Sequence, residues 1–159
     1  MFEKILLCTH GSPGAQKAEE LVFSELTEHV KAENITVLTI IDADWSEMSA
    51  DDWLNNSKTR TTFKSYVQEQ LSREIETDWQ RIREQYPAAE KARFSMVVGG
   101  IEETIAEAAE NLQSNLVVLG PRCIKPRRLF SVKMEPGLAD HISNKKLHPL
   151  LPCPLLIAP

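Results

Sequence analysis

The chain has 159 residues, of which 42% are hydrophobic and 26% charged, and its net charge is −5. That length suits one domain with one sizeable core, and the composition is that of an ordinary soluble globular protein. No apolar run reaches the length of a membrane span, so no membrane association is expected.

The three cysteines, Cys8, Cys123 and Cys153, have no metal-ligand spacing and point to a reducing, cytoplasmic setting. Charge is unevenly spread. After Gly120 stand seven basic residues (Arg122, Lys125, Arg127, Arg128, Lys133, Lys145 and Lys146) against two acids, Glu135 and Asp140. The first 120 residues carry 11 basic and 21 acidic side chains. An acidic body repels phosphate backbones, and only Phe130 interleaves the basic stretch, so nucleic acid is not an expected partner. Two readings of that stretch stay open: a solvated loop with a cation-rich helix end, or an anion site.

Met1 to Cys8 is too short in its apolar part for a signal peptide and reads as a first strand, with Ile5 to Cys8 buried on both faces. Gly11-Ser12-Pro13 turns the chain into a helix, with Ser12 as its cap and Pro13 at its first position. Ala15, Ala18, Val22, Leu26 and Val30 mark the buried stripe. Ile35 to Ile41 is rich in β-branched residues and is the clearest strand. The acidic connection from Asp42 to Asn56, with Trp45 and Trp53, is expected over the sheet edge. A long helix follows from Ser57 to Tyr86, with Phe63, Val67, Leu71, Ile75, Trp79, Ile82 and Tyr86 on one face.

Pro87 stops that helix, and the alternation of Ala92, Phe94, Met96 and Val98 predicts a third strand. Gly99-Gly100 leads into a short amphipathic helix through Ile101, Ile105, Ala108 and Leu112. Leu116 to Leu119 is the fourth strand. A last helix is expected from near Pro136-Gly137 to Pro149, and Pro152 to Ala158 closes the chain as a fifth strand. Five strands alternating with four helices predict one α/β domain over residues 1–159, a parallel sheet with helices on both faces. The last strand has no element after it, and a bare apolar edge needs a cover. A second copy pairing through Leu155, Leu156, Ile157 and Ala158 is the expected one.

The stretch after the fourth strand carries the most chemistry. An apolar strand ending in Gly120 is how an α/β fold presents a ligand at the carboxyl edge of its sheet. A phosphate cradle would continue mostly in glycine, so that bare N–H groups close on the anion. Here the chain continues Pro121-Arg122-Cys123-Ile124-Lys125-Pro126. The prolines remove N–H donors and stiffen the loop.

Taken together, Ile5-Leu6-Leu7 followed by Gly11-Ser12, Lys17-Ala18, Val98 with Ile101 to Ile105, Asn115 to Gly120 and Pro152 to Ile157 resemble the universal stress protein family over nearly the whole length. The resemblance implies strand order 3-2-1-4-5 in an adenine nucleotide alpha hydrolase-like fold, and dimerisation through the last strand. It also implies a stress-response or regulatory role. Many members bind ATP through Gly, two residues, Gly, nine residues, Gly and Ser or Thr. Gly120 matches the first position. Cys123, Lys133 and Met134 stand at the others, with Gly137 able to replace the third glycine after an insertion. His10 stands where the family places Asp.

Two uses of such a site remain. In one, the chain is a dimeric binding module that docks protein partners, with weak or absent ATP binding. In the other it holds ATP or AMP, with adenine at Thr9 and Ile40-Ile41 and phosphates on Arg122 and Lys125 side chains. Thr9, His10, Ile40, Ile41, Gly120, Arg122, Lys125 and Gly137 are the candidate site residues. His10, His29, His141 and His148 have no neighbours of triad or metal type, and Cys8 lies within an apolar strand. No catalytic or metal-ligating residue is therefore assigned, and an enzymatic role is not expected.

Overall fold

A computed structural model describes residues 2–9, 12–42, 57–121 and 144–159. Strands β1 (Ile5–Cys8), β2 (Ile35–Asp42), β3 (Arg93–Gly99), β4 (Leu116–Leu119) and β5 (Leu155–Ile157) form one sheet in the order β3-β2-β1-β4-β5. Every pairing is parallel. Helices α1 (Pro13–Glu20), α2 (Ser57–Gln85), α3 (Ile101–Asn111) and α4 (Asn144–Leu150) cover it. The α/β class, the strand number and the strand order agree with the sequence reading. The connection 43–56 and the loop from Arg122 lie outside the described residues, as does the expected start of the last helix.

β1 and β4 are buried at every position, which explains their unbroken apolar runs. Alternate residues feed two cores. Ile5, Leu7, Val37 and Val118 pack with Ala18, Val22 and Ile82, on the face covered by α1 and α2. Leu6, Cys8, Leu38, Val117 and Leu119 pack with Ile105, Ala109 and Leu147, on the face covered by α3 and α4. Trp79 of α2 stacks on Phe94 of β3, with ring centroids 5.0 Å apart. At the foot of the sheet, Asn115 ties β1 to β4. Its Oδ1 accepts from the N–H groups of Glu3 (3.1 Å) and Lys4 (2.8 Å).

Three elements depart from expectation. The first helix is α-helical only to Glu20. It widens into a π-helical turn over Leu21–Glu25 and tightens to a 3-10 turn over Leu26–Glu28. The wider turn buries the adjacent residues Val22 and Phe23 together, which a 3.6-residue stripe does not predict. β3 begins at Arg93 and runs to Gly99, and its alternation does not mark burial. Phe94 is half-buried under Trp79, whereas Met96 and Val98 are exposed. α4 runs one residue past the expected stop, with Pro149 inside its final turn. Among the described residues no helix is long and apolar enough to cross a membrane.

Candidate functional site

In a sheet of this order the chain leaves β1 toward β2 on one side, while β4 lies on the other. The crevice beyond the carboxyl ends of β1 and β4 is therefore the switch point where open α/β sheets bind ligands. α1 starts beside it. Ser12 caps the helix, its Oγ accepting from the Ala15 N–H at 3.1 Å, and Pro13 needs no N–H partner.

The structure brings Thr9, Ile40, Ile41 and Gly120 to this end of the sheet. Thr9 follows β1 and is buried. Its N–H donates to the Leu38 carbonyl (3.1 Å), and its own carbonyl accepts from Thr39 Oγ1 (2.9 Å). Its hydroxyl donates to Glu19 Oε1 (2.5 Å). Both Thr9 donors are thus spent within the fold, and a spare carbonyl lone pair is what Thr9 can offer a ligand. Ile40 and Ile41 are buried on an overhang of β2. Pairing with β1 ends at Cys8–Leu38, while β2 runs on beside β3 to Asp42. His10, Arg122, Lys125 and Gly137 lie outside the described residues, as do Cys123, Lys133 and Met134.

Gly120 is fixed by packing. A Cβ there would overlap the Gly14 carbonyl and lie 2.6 Å from the Ala15 amide nitrogen. The first turn of α1 is pressed onto the end of β4, and only a residue without a side chain admits that approach. The glycine that matches the signature thus has a structural reason that involves no phosphate.

Beneath the crevice sits a charged cluster that the sequence reading missed. Glu19 of α1 is fully buried. Its Oε1 takes the Thr9 hydroxyl, and its Oε2 receives Arg81 Nη2 from α2 at 2.7 Å. Arg81 also donates to Asp78 (2.8 Å) and Gln85 (3.0 Å). Burial raises the Glu19 carboxyl above the usual carboxylate range; the hydrogen bonds from Thr9 and Arg81 oppose that shift without cancelling it. Arg81 is also raised on balance, which for a guanidinium favours the charged form. Burial opposes its charge, but Asp78 and Glu19 outweigh it, because this guanidinium keeps contact with solvent. A sequence signal existed: Glu19 falls on the buried stripe between Ala15, Ala18 and Val22, where an unpaired charge is not tolerated.

The two thiols among the described residues are quiet. Burial pushes Cys8 far above the thiol range, which keeps it protonated, and burial also raises Cys153. Among the described residues, no group of three or more His, Cys, Asp and Glu side chains is placed to hold a metal ion.

Comparison with known proteins agrees with this architecture. The hypothetical protein MJ0577 superposes with a TM-score of 0.68 at 19% identity, over 99% of this chain and 96% of that one. A universal stress protein family member from Burkholderia pseudomallei gives 0.63 at 17% identity, over 99% and 96%. A universal stress protein in complex with cAMP gives 0.52 at 12% identity, over 98% and 95%. No curated protein sequence matches the chain significantly. The model of the universal stress protein family matches residues 1–130, and with that match the chain belongs to the universal stress protein family.

Proposed function

We propose that this protein is a non-catalytic binding module of a stress-response or regulatory kind, working in the cytoplasm as a homodimer and holding ATP or AMP weakly or not at all. The observation that carries this reading is Gly120. The sole glycine at its expected place in the nucleotide signature is demanded by the α1–β4 contact, so its presence says nothing for phosphate. The remaining signature positions hold Cys123, Lys133 and Met134, whose side chains occupy places where bare backbone or a hydroxyl is wanted. Calorimetry with Mg-ATP tests this. Weak or undetectable heat is expected; a dissociation constant in the low micromolar range, about −8 kcal/mol, would overturn it.

One observation favours a second reading, in which side chains replace the glycines. The stretch after Gly120 holds seven basic residues against two acids, and a protein sharing this fold holds the nucleotide cAMP. Arg122 is nearest the strand end. On this reading, phosphate, sulfate, AMP or ATP raises the melting temperature of the wild type. Arg122→Ala then loses about ten- to a hundredfold in affinity.

The edge of β5 supports the dimer. Leu155 and Leu156 pack inward and Ala158 is buried, leaving Ile157 as the exposed apolar residue of that strand. Ile157→Lys is therefore a cleaner probe than Leu156→Lys, which would also injure the core. A shift to monomer in analytical ultracentrifugation is expected, and an unchanged dimer would sink this interface.

A further inference from the structure

We propose that Glu19 and Arg81 form an acid-sensitive latch that fastens the long helix α2 to α1 and to the ligand end of β1. The geometry is that of a buried carboxylate shared between two elements. Glu19 has no exposed surface, and the two donors that reach it come from different elements, Thr9 after β1 and Arg81 on α2. Arg81 does not depend on Glu19 in return. It is 32% exposed and already holds Asp78 and Gln85 on its own helix. A proton on Glu19 therefore removes the charge that draws Arg81 inward, while Arg81 keeps Asp78 and water. The Thr9 link survives as a neutral hydrogen bond, because a protonated carboxyl retains an acceptor oxygen.

The charged and titratable groups around Glu19, among the described residues, come from each packed element. Asp78 and Arg81 face it from α2, Tyr86 from the turn after α2, and Glu20 adjoins it on α1; β1 contributes the uncharged Thr9. Asp78 opposes ionisation and Arg81 favours it, while burial opposes it most strongly.

The sign of the linkage separates this latch from acid denaturation. A carboxyl whose native pKa is raised binds its proton more readily in the folded chain than in the unfolded one. Its contribution to stability is fully present below the unfolded value, near 4.3 for a free Glu, and is lost as pH rises through the raised native value. Acidification through that window thus frees Arg81 without costing fold stability at this site. The opening is local: one helix loses a tether while the sheet keeps its core.

A double-mutant cycle with Glu19→Gln and Arg81→Met, read by urea unfolding at pH 7.5 and pH 4.5, tests the proposal. At pH 7.5, Arg81→Met strands a buried carboxylate and raises the unfolding constant by about tenfold or more. The coupling between the two sites then accounts for most of that change. At pH 4.5 the coupling is smaller than at pH 7.5, and Arg81→Met in the wild-type background costs correspondingly less. Coupling of equal size at both pH values, or none at pH 7.5, would overturn the latch. A direct check stands even if a variant fails to fold. The carbon-13 shift of the Glu19 carboxyl in the wild-type protein should titrate above the free Glu value, and a midpoint at or below it would refute the proposal.

Discussion

Two junctions join a strand end to a helix through glycine, and they differ in what the glycine is for. At Gly120 the absent side chain is occupied space: the backbone of Gly14 and Ala15 lies where a Cβ would be. At Gly99 and Gly100 a Cβ would meet the tips of the Thr104 and Glu103 side chains, each at 2.7 Å. Those tips can rotate away and a helix backbone cannot. The first glycine is held by tertiary packing. The second pair serves the entry to α3, where Gly100 sits at the N-cap with an ordinary extended conformation. A third position inverts the lesson. Gln113 ends α3 in the left-handed region at φ 53°, with its N–H on the Glu110 carbonyl and that of Ser114 on the Ala109 carbonyl. That arrangement normally takes glycine, and here it carries a side chain at a cost.

The largest effect should come from Gly120→Ala, which forces α1 off β4 and costs about 3 kcal/mol in urea unfolding. If it costs no more than a loop substitution, the contrast between the two junctions collapses. Gln113→Gly should stabilise by about 1 kcal/mol, because glycine adopts that conformation without strain. An unchanged or lower midpoint would mean that the long-range contact of Gln113 with Lys4 Nζ (3.4 Å) outweighs the backbone relief. Gly100→Ala should be the mildest, a loss of about 0.5 kcal/mol from a poorer cap. A loss matching Gly120→Ala would show that the approach of α3 to β3 is as close as that of α1 to β4.

The fold was legible because its signals are local. Continuous apolar runs marked β1 and β4, β-branched residues marked β2, and Ser12-Pro13 marked the start of α1. The departures arise where distant residues decide. Nothing near Leu21 announces a π-helical turn. The exposure of Met96 and Val98 follows from β3 being an edge strand, which depends on the order of the whole sheet. Legibility of the site divides the same way. The topology led to Thr9, Ile40, Ile41 and Gly120 through the rule for strand ends. The Glu19–Arg81 pair joins residues 62 positions apart, and only Glu19 shows its half of the bond, as a charge on an apolar stripe. Gly120 shows the limit of reading a motif, since one residue can satisfy a ligand signature and a packing constraint alike.

The Asn115 tie has a consequence for the order of events when the chain is made. Its side chain spans 112 positions to reach Glu3, and the β1–β4 ladder it anchors is equally long-range. β1 pairs with β2 at a separation of 30 residues, the shorter of its two closures. Its other edge then waits until residue 119 has been synthesised. Through that interval a strand built of Ile5, Leu6, Leu7 and Cys8 presents unpaired backbone beside apolar side chains. Closing a loop of that length is slow, and slow closure exposes such an edge to neighbouring chains. The most protected strand of the finished protein is therefore the most vulnerable one in its nascent state, and the amide of a single asparagine marks the point at which that risk ends.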